Sequence, residues 1–344
     1  MEVIQSSANV RVAFSELIDL ANERVGGQVL HANDDFFAEK ENLIKAAAPV
    51  FIADKYTDLG KWMDGWESRR KRSVGYDHCI IKLGLPGEIH GLNIDTAFFT
   101  GNYPEYASVE GCELSEEASA EDLQRASWQV LLPKSALSGG SQNFFPVIYR
   151  GRCTHLRLNI FPDGGVARLR VHGEVRPAKS KLQGLVDVAA ASTGGIVVTA
   201  NDMYFGQKDN LIYPGRAVHM GEGWETRRKR GPGHDWIIVK LAGLAKLQKI
   251  EVDTHHFKGN FPDRCSVEGL VSIENFLPCD FRDRPGLEWQ TLLGESKLQA
   301  DHSHVFGKEL KSIDRAYSYL RVNIYPDGGV SRLRVWGTLE KTVG

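Results

Sequence analysis

The chain has 344 residues, 42% hydrophobic and 25% charged, with no run of 18 or more apolar residues. A buried core spread over about two domains is expected, and a membrane-spanning helix is not. Its 42 basic and 44 acidic residues leave a formal charge of -2, which excludes the global basic field that draws nucleic acid, so any anion site must be local.

The N-terminal MEVIQSSANVRVAF lacks the charged, apolar and small-residue regions of a signal peptide, and the C-terminal LEKTVG carries no peroxisomal or lipid-anchor signal. The five cysteines, Cys79, Cys112, Cys153, Cys265 and Cys279, are scattered without CxxC spacing. That argues against a disulfide framework or a zinc ribbon and for a reducing, cytoplasmic setting. Helical periodicity is confined to the N-terminus, where Phe14, Leu17, Ile18 and Ala21 share a face if that stretch is a helix.

From Gly26 onward the sequence is written twice. GGQVLHANDDFFAEKENLI from Gly26 returns as GGIVVTANDMYFGQKDNLI from Gly194, and GWESRRKR from Gly65 as GWETRRKR from Gly223. DTAFFTGNYPEYASVEG from Asp95 returns as DTHHFKGNFPDRCSVEG from Asp253, and LRLNIFPDGGVARLRVHG from Leu156 as LRVNIYPDGGVSRLRVWG from Leu320. The order is kept, and the offset moves only between 168, 158 and 164 residues, as expected when loops gain and lose residues between fixed elements. Units of this size are whole domains and not solenoid repeats. The expected division is a first repeat over 1–177 with its N-terminal helix, a linker over 178–193, and a second repeat over 194–344.

Within the first unit, short strands are expected at Cys79–Leu83, His90–Thr96 and Trp128–Leu132. Leu156, Leu158 and Ile160 alternate with Arg157 and Asn159 before Pro-Asp-Gly-Gly, and Ala167, Leu169 and Val171 alternate with Arg168 and Arg170 after it, which reads as a β-hairpin. The second unit repeats these at Trp236–Leu241, Lys249–Thr254 and Trp289–Leu293. Many short strands with long connections predict an all-β protein of two tandem jelly-roll sandwiches.

Three constellations carry candidate chemistry. In the octapeptide, the basic run is either a solvated surface or an anion site. Arg69, Arg70, Arg227 and Arg228 can fork onto a carboxylate, Trp66 and Trp224 can wall the ligand, and Glu67 and Glu225 can neutralise an arginine or exchange a proton. In the Asp-Thr-x-x-Phe-x-Gly-Asn segment, Asp95, Asn102, Asp253 and Asn260 either line a loop-end site or merely cap turns. Here the copies differ: the first has Ala97 and Phe98, the second His255 and His256. Strand alternation would place Asp253 and His255 on one face, giving an Asp-His pair suited to proton transfer. As the third constellation, His302 and His304 have same-face spacing, and His234-Asp235 or His255-His256 would have to complete a metal site; no recognised third-ligand spacing supports one. No Walker loop, dinucleotide fingerprint or G-x-S-x-G elbow is present.

Taken together, the paired GWE[ST]RRKR, DTxxFxGNxP and PDGG segments resemble the allantoicase family, the allantoate amidinohydrolases of purine breakdown, over 26–337. The resemblance implies a duplicated jelly roll of the galactose-binding-domain-like kind, hydrolysis of allantoate to ureidoglycolate and urea, and homo-oligomeric assembly; separately, no cofactor is expected to be required, a divalent metal being an alternative that the ligand spacing does not support. On that reading His255 or His256 protonates the leaving urea with Asp253 orienting it, Glu225 or Glu67 activates water, an arginine clamps the carboxylate, and Asn102 or Asn260 holds a ureido group. A tandem carbohydrate-binding module and another ureido-acid enzyme, such as one acting on ureidoglycolate, are the competing readings.

Overall fold

The computed structural model describes residues 3–5, 12–283 and 286–340; much of the N-terminal stretch and the last four residues of LEKTVG lie outside them. Contacts divide the chain into two units, Met1–Arg176 and Pro177–Gly344.

Each unit is organised by one long strand. In the first, Asp77–Asp95 runs for 19 residues with inward and outward positions alternating. Its first part pairs with Gln28–Ala32 and with Arg152–Phe161, and the latter continues to Tyr106–Cys112 and Gln129–Ala136. Its last part pairs instead with Arg168–Val175 and Gln142–Pro146. One strand therefore belongs to both layers of a jelly roll. The switch falls where the register with Arg152–Phe161 breaks between Cys153 and His155. At Gly84 a Cβ would stand 2.4 Å from the Val25 carbonyl oxygen, so the crossing needs glycine. Ile81, Leu92, Ile94, Val109, Leu156, Leu158, Leu169 and Val171 close the core, and all are buried. Truncating one of them, as in Leu158→Ala, should cost about 3 kcal/mol.

The second unit repeats the plan. Asp235–Asp253 pairs with Ile196–Ala200 and Ala316–Tyr325 at its start, and with Arg332–Leu339 and Ser303–Phe306 at its end; Arg264–Leu270 and Gln290–Lys297 extend the first layer.

Four expectations are corrected. The two short strands expected on either side of Leu83–His90, and their counterparts in the second unit, are each one continuous strand. The expected hairpin is not one: Arg152–Phe161 and Arg168–Val175 each pair with Asp77–Asp95, overlapping only at Gly87 and Glu88, and do not pair with each other. Pro-Asp-Gly-Gly instead arches from one layer to the other, and Gly165–Val166 pairs on the way with Trp66–Glu67. Alternation reveals which residues face the core but not which strand lies alongside. The N-terminal helix is a short 3-10 turn, Ala13–Glu16, and Ala21 is buried beyond it. Finally, 178–193 is not a plain connection. Val186–Asp187 pairs with Trp336 and Gly337, and Asp187 Oδ1 accepts the Val335 N–H at 2.9 Å, as Asp19 Oδ1 accepts that of Val171 at 2.9 Å. From Val186 onward that stretch is the opening of the second repeat.

Candidate active site

In each unit the three repeated motifs converge on the Pro-Asp-Gly-Gly arch. Gly165 pairs with Glu67 and donates its N–H to the Asn102 carbonyl at 2.8 Å; Gly329 pairs with Glu225 and donates to the Asn260 carbonyl at 2.8 Å. Buried Phe99 and Phe257 lie under these glycines so closely that a Cβ would meet the ring at 2.0 and 1.9 Å. The second glycine of the motif is thus dictated by the phenylalanine of another.

This packing assigns the octapeptide residue by residue. Trp66 and Trp224 are fully buried, and each indole N–H donates at 2.8 Å to a main-chain carbonyl, of Asp34 or Asp202. They are core residues, not the ligand wall expected. Arg69 and Arg227 are tied to Asp34 and Asp202 at 2.7 and 2.8 Å and lie over Phe36 and Tyr204. Burial alone would raise both aspartates, but hydrogen bonds from the arginines and from backbone N–H groups outweigh it and hold them below the usual carboxylate range. Lys71 and Lys229 pair with buried Asp77 and Asp235 at 2.6 and 3.0 Å. Their N–H groups donate at 2.7 Å to Asp163 and Asp327 of the arch. Arg70 and Arg228 are exposed and make no ion pair among the described residues. Of the four arginines expected to bind an anion, Arg69 and Arg227 are structural ties, and Arg70 and Arg228 remain available.

Glu67 accepts a hydrogen bond from Asn102 Nδ2 at 2.7 Å, and Glu225 is bonded likewise by Asn260 Nδ2. Burial pushes both glutamates upward, and the amide bonds oppose it only in part. Buried carboxyls of this kind can exchange protons nearer neutrality than free ones.

Asp95 and Asp253 end their long strands, and each caps the turn that follows: Oδ1 accepts the N–H of Ala97 or His255 at 2.8 Å. Asp95, raised by burial, is therefore a turn residue and not the ligand contact expected. In the second copy the His255 ring adds a bond, Nδ1 to Asp253 Oδ1 at 2.5 Å, with the histidine side chain 35% exposed. The pairing was expected from strand alternation, but the strand stops at Asp253 and the turn makes it. His256 adopts φ 73° and donates Nε2–H to the Ala217 carbonyl at 2.9 Å, where the first copy has Phe98 at φ 68° stacked on Phe51.

The expected metal candidates do not assemble. His304 accepts the Gln299 N–H at Nε2 (2.8 Å) and donates Nδ1–H to the Val252 carbonyl (3.1 Å), so both ring nitrogens are committed. His234 faces Asn323 and packs at a tilt against Tyr325. Among the described residues no three His, Cys, Asp or Glu side chains form a cluster that could hold a metal ion. Burial raises the Cys79 thiol, and it lifts Cys112 to about 11 and both Cys153 and Cys265 to about 12, which disfavours thiolate chemistry at these four.

Sequence reasoning missed the acidic anchors Asp34, Asp77 and Asp163 with their second-copy partners Asp202, Asp235 and Asp327. The signal was present in part, because each of these acids recurs at the equivalent position of both copies.

Fold and site together define a duplicated jelly-roll protein with paired carboxyl sites and, in the second repeat, an added imidazole. The sequence profile described as "Allantoicase repeat" matches residues 18–176 and again 186–340, and the chain belongs to the allantoicase family. It is 48% identical over 326 residues to a protein named "Probable allantoicase 1" from Burkholderia mallei, covering 94% of this chain and 95% of that one. It is 47% identical over 324 residues to a "Probable allantoicase" from Acinetobacter baumannii, covering 94% of each. The crystal structure of allantoicase from Saccharomyces cerevisiae superposes with TM-score 0.80 at 35% identity, covering 98% of this chain and 100% of that one. Another allantoicase structure gives 0.78 at 36% identity, covering 94% and 93%.

Proposed function

We propose that this chain hydrolyses allantoate to ureidoglycolate and urea, in purine breakdown by way of allantoin, and that the second repeat carries the acid-base chemistry. The observation that carries the assignment is the spacing of two pairs. Glu225 pairs with Gly329, and the Asp253 carbonyl accepts the Ser331 N–H. The Glu-Asn pair and the Asp-His pair are thus anchored two residues apart on one extended segment, about 7 Å.

Allantoate is a small anion whose central carbon bears a carboxylate and two ureido groups. Breaking the bond from that carbon to nitrogen sends the electron pair to nitrogen, so urea leaves well only if that nitrogen receives a proton. Asp253 occupies His255 Nδ1, which leaves Nε2 as the position that delivers the proton. The His256 ring is less available as a donor because its Nε2–H is committed to the Ala217 carbonyl. Glu225, raised by burial, takes the proton of the water whose oxygen bonds to the carbon. Asn260 gives Nδ2 to Glu225 and offers Oδ1 to a ureido N–H, while Arg228 clamps the carboxylate. Glu67, Asn102 and Arg70 repeat this frame without the histidine.

The reaction is proposed to need no metal, a reading supported by the commitment of both His304 nitrogens. The chain is further proposed to work in the cytoplasm as a homo-oligomer. The five free thiols support the reducing setting, and the assembly follows from the family resemblance alone. The deciding experiment is urea release from allantoate by purified protein, with and without prior chelator treatment. Release that survives the chelator is expected. No release under any metal condition would overturn the activity, and loss restored by one metal would overturn the metal-free reading.

A further inference from the structure

The peptide that follows His255 is gripped on both sides. Its carbonyl, that of His255, accepts the Ser331 hydroxyl, and its N–H, that of His256, donates to Asp301 Oδ1 at 2.7 Å. Neither side chain has entered the proposed chemistry. Ser331 is fully buried in the arch, where its own N–H donates to the Asp253 carbonyl at 2.7 Å. Asp301 lies between Gln290–Lys297 and Ser303–Phe306, and its N–H donates to the Phe257 carbonyl at 3.2 Å. The His256 N–H, with Lys258 adding to it, holds the Asp301 carboxyl below the usual range, so the grip near neutrality is that of a carboxylate.

The first copy builds the same frame without the grip. The Ala167 N–H donates to the Asp95 carbonyl at 2.8 Å as that of Ser331 does to Asp253, and the Gly140 N–H to the Phe99 carbonyl at 3.1 Å as that of Asp301 does to Phe257. Ala167 and Gly140 therefore stand where Ser331 and Asp301 stand, and neither has a polar side-chain atom. The peptide there joins Ala97 to Phe98, whose left-handed backbone is backed by the stacking of its ring on Phe51. Phe51 belongs to Val50–Ile52, a strand with no counterpart among the described residues of the second repeat. Asp301 also departs from what packing asks. It sits at φ 51°, in the left-handed region, where the first copy has Gly140 at φ 59°. Glycine is the easier residue there, so a carboxylate set in that conformation beside the proposed acid points to a task at the site.

We propose that Ser331 and Asp301 are positioning residues, which clamp the peptide after His255 and so hold its ring on Asp253 with Nε2 turned to the substrate. The peptide before His255 is already fixed, because its N–H donates to Asp253 Oδ1 at 2.8 Å. With both flanking peptides held, the direction of the side chain is set, and the bond from Nδ1 to Asp253 settles the ring. The hold on the ring follows from this geometry; its value for turnover rests on the proposed activity.

The test follows the tautomer of the neutral His255 ring by nitrogen NMR of the full chain carrying isotope-labelled histidine, beside urea release from allantoate on the same preparations; His255→Ala assigns the signal. The wild-type ring is expected to be the Nδ1–H tautomer, as its bond to the Asp253 carboxylate requires. Ser331→Ala and Asp301→Gly introduce the residues that the first copy carries, so the frame accepts both, and Asp301→Gly relieves the left-handed backbone. Each is expected to keep its Tm, to let the ring mix with the Nε2–H tautomer, and to lower kcat about tenfold with KM little changed. Asp301→Asn keeps the Oδ1 acceptor and is expected to match the wild type in both readings. An Nε2–H ring in the wild type, a pure Nδ1–H ring in either Ser331→Ala or Asp301→Gly, or an Asp301→Asn ring as free as that of Asp301→Gly overturns the clamp. The two proposals fail separately. A ring freed by the variants of a chain that releases no urea discards the activity alone, and urea release with the ring unmoved discards the clamp alone.

Discussion

The turns at Asp95 and Asp253 are the same piece of architecture with different equipment. Both aspartates are buried, both accept the N–H two residues on at 2.8 Å, and both turns place the following residue at positive φ. Ala97 and Phe98 make the first turn a packing device, with Phe98 stacked on Phe51; His255 and His256 make the second a site where an imidazole is held by a carboxylate. The frame was retained in both copies because the arch, the octapeptide and the turn hold one another. Chemistry was free to differ at the two positions that the frame does not fix.

That comparison is sharpened by substituting equivalent residues in pairs. The largest contrast is expected at the glutamates: Glu225→Gln should lower kcat about a thousandfold, as for loss of a general base, whereas Glu67→Gln should leave it within about threefold. Equal losses at both would mean that the two repeats share the chemistry. Asp253→Asn keeps the acceptor for the His255 N–H but weakens the hold on the ring, and should cost about a hundredfold in kcat; Asp95→Asn should not alter turnover. Arg228→Ala should raise KM about tenfold with little change in kcat, while Arg70→Ala should leave both near wild type, as steady-state kinetics would show.

The smallest effects are on stability and follow from ionisation. Burial raises Glu67 and Glu225, so each contributes stability that is full below the ordinary glutamate pKa and lost as pH rises through the raised folded value. Either Gln variant should therefore gain about 2 °C in Tm at pH 7 and nothing at about pH 3. A gain that is independent of pH would count against burial as the cause. In the wild-type enzyme, loss of the Glu225 base should place the acidic fall in activity above the usual carboxylate range.

The duplication and the inward faces were legible because a repeat and a period of two are properties of sequence alone. Leu156, Leu158, Ile160, Leu169 and Val171 are all buried as their alternation requires. The partner of a strand was not legible: the same alternation fits a hairpin or the arch that Gly165–Val166 makes with Trp66–Glu67. At the site, the Asp253–His255 pair and the two Glu–Asn pairs were within reach, since their residue types declare what they can do. Trp66 misled because an indole beside cations looks like a binding wall until its N–H is seen donating to the Asp34 carbonyl. Arg69 and Arg70 are adjacent and chemically identical, and only Asp34, more than 30 residues earlier, separates the tied one from the available one.

In the proposed mechanism the imidazole found only in the second repeat does the proton transfer. Urea release from allantoate by wild type and His255→Ala, compared at matched Tm, tests it most directly. His255→Ala is expected to lose at least about a hundredfold in kcat with an unchanged melting transition. Turnover within a few-fold of wild type in His255→Ala would contradict it and return the chemistry to the Glu-Asn frame common to both repeats.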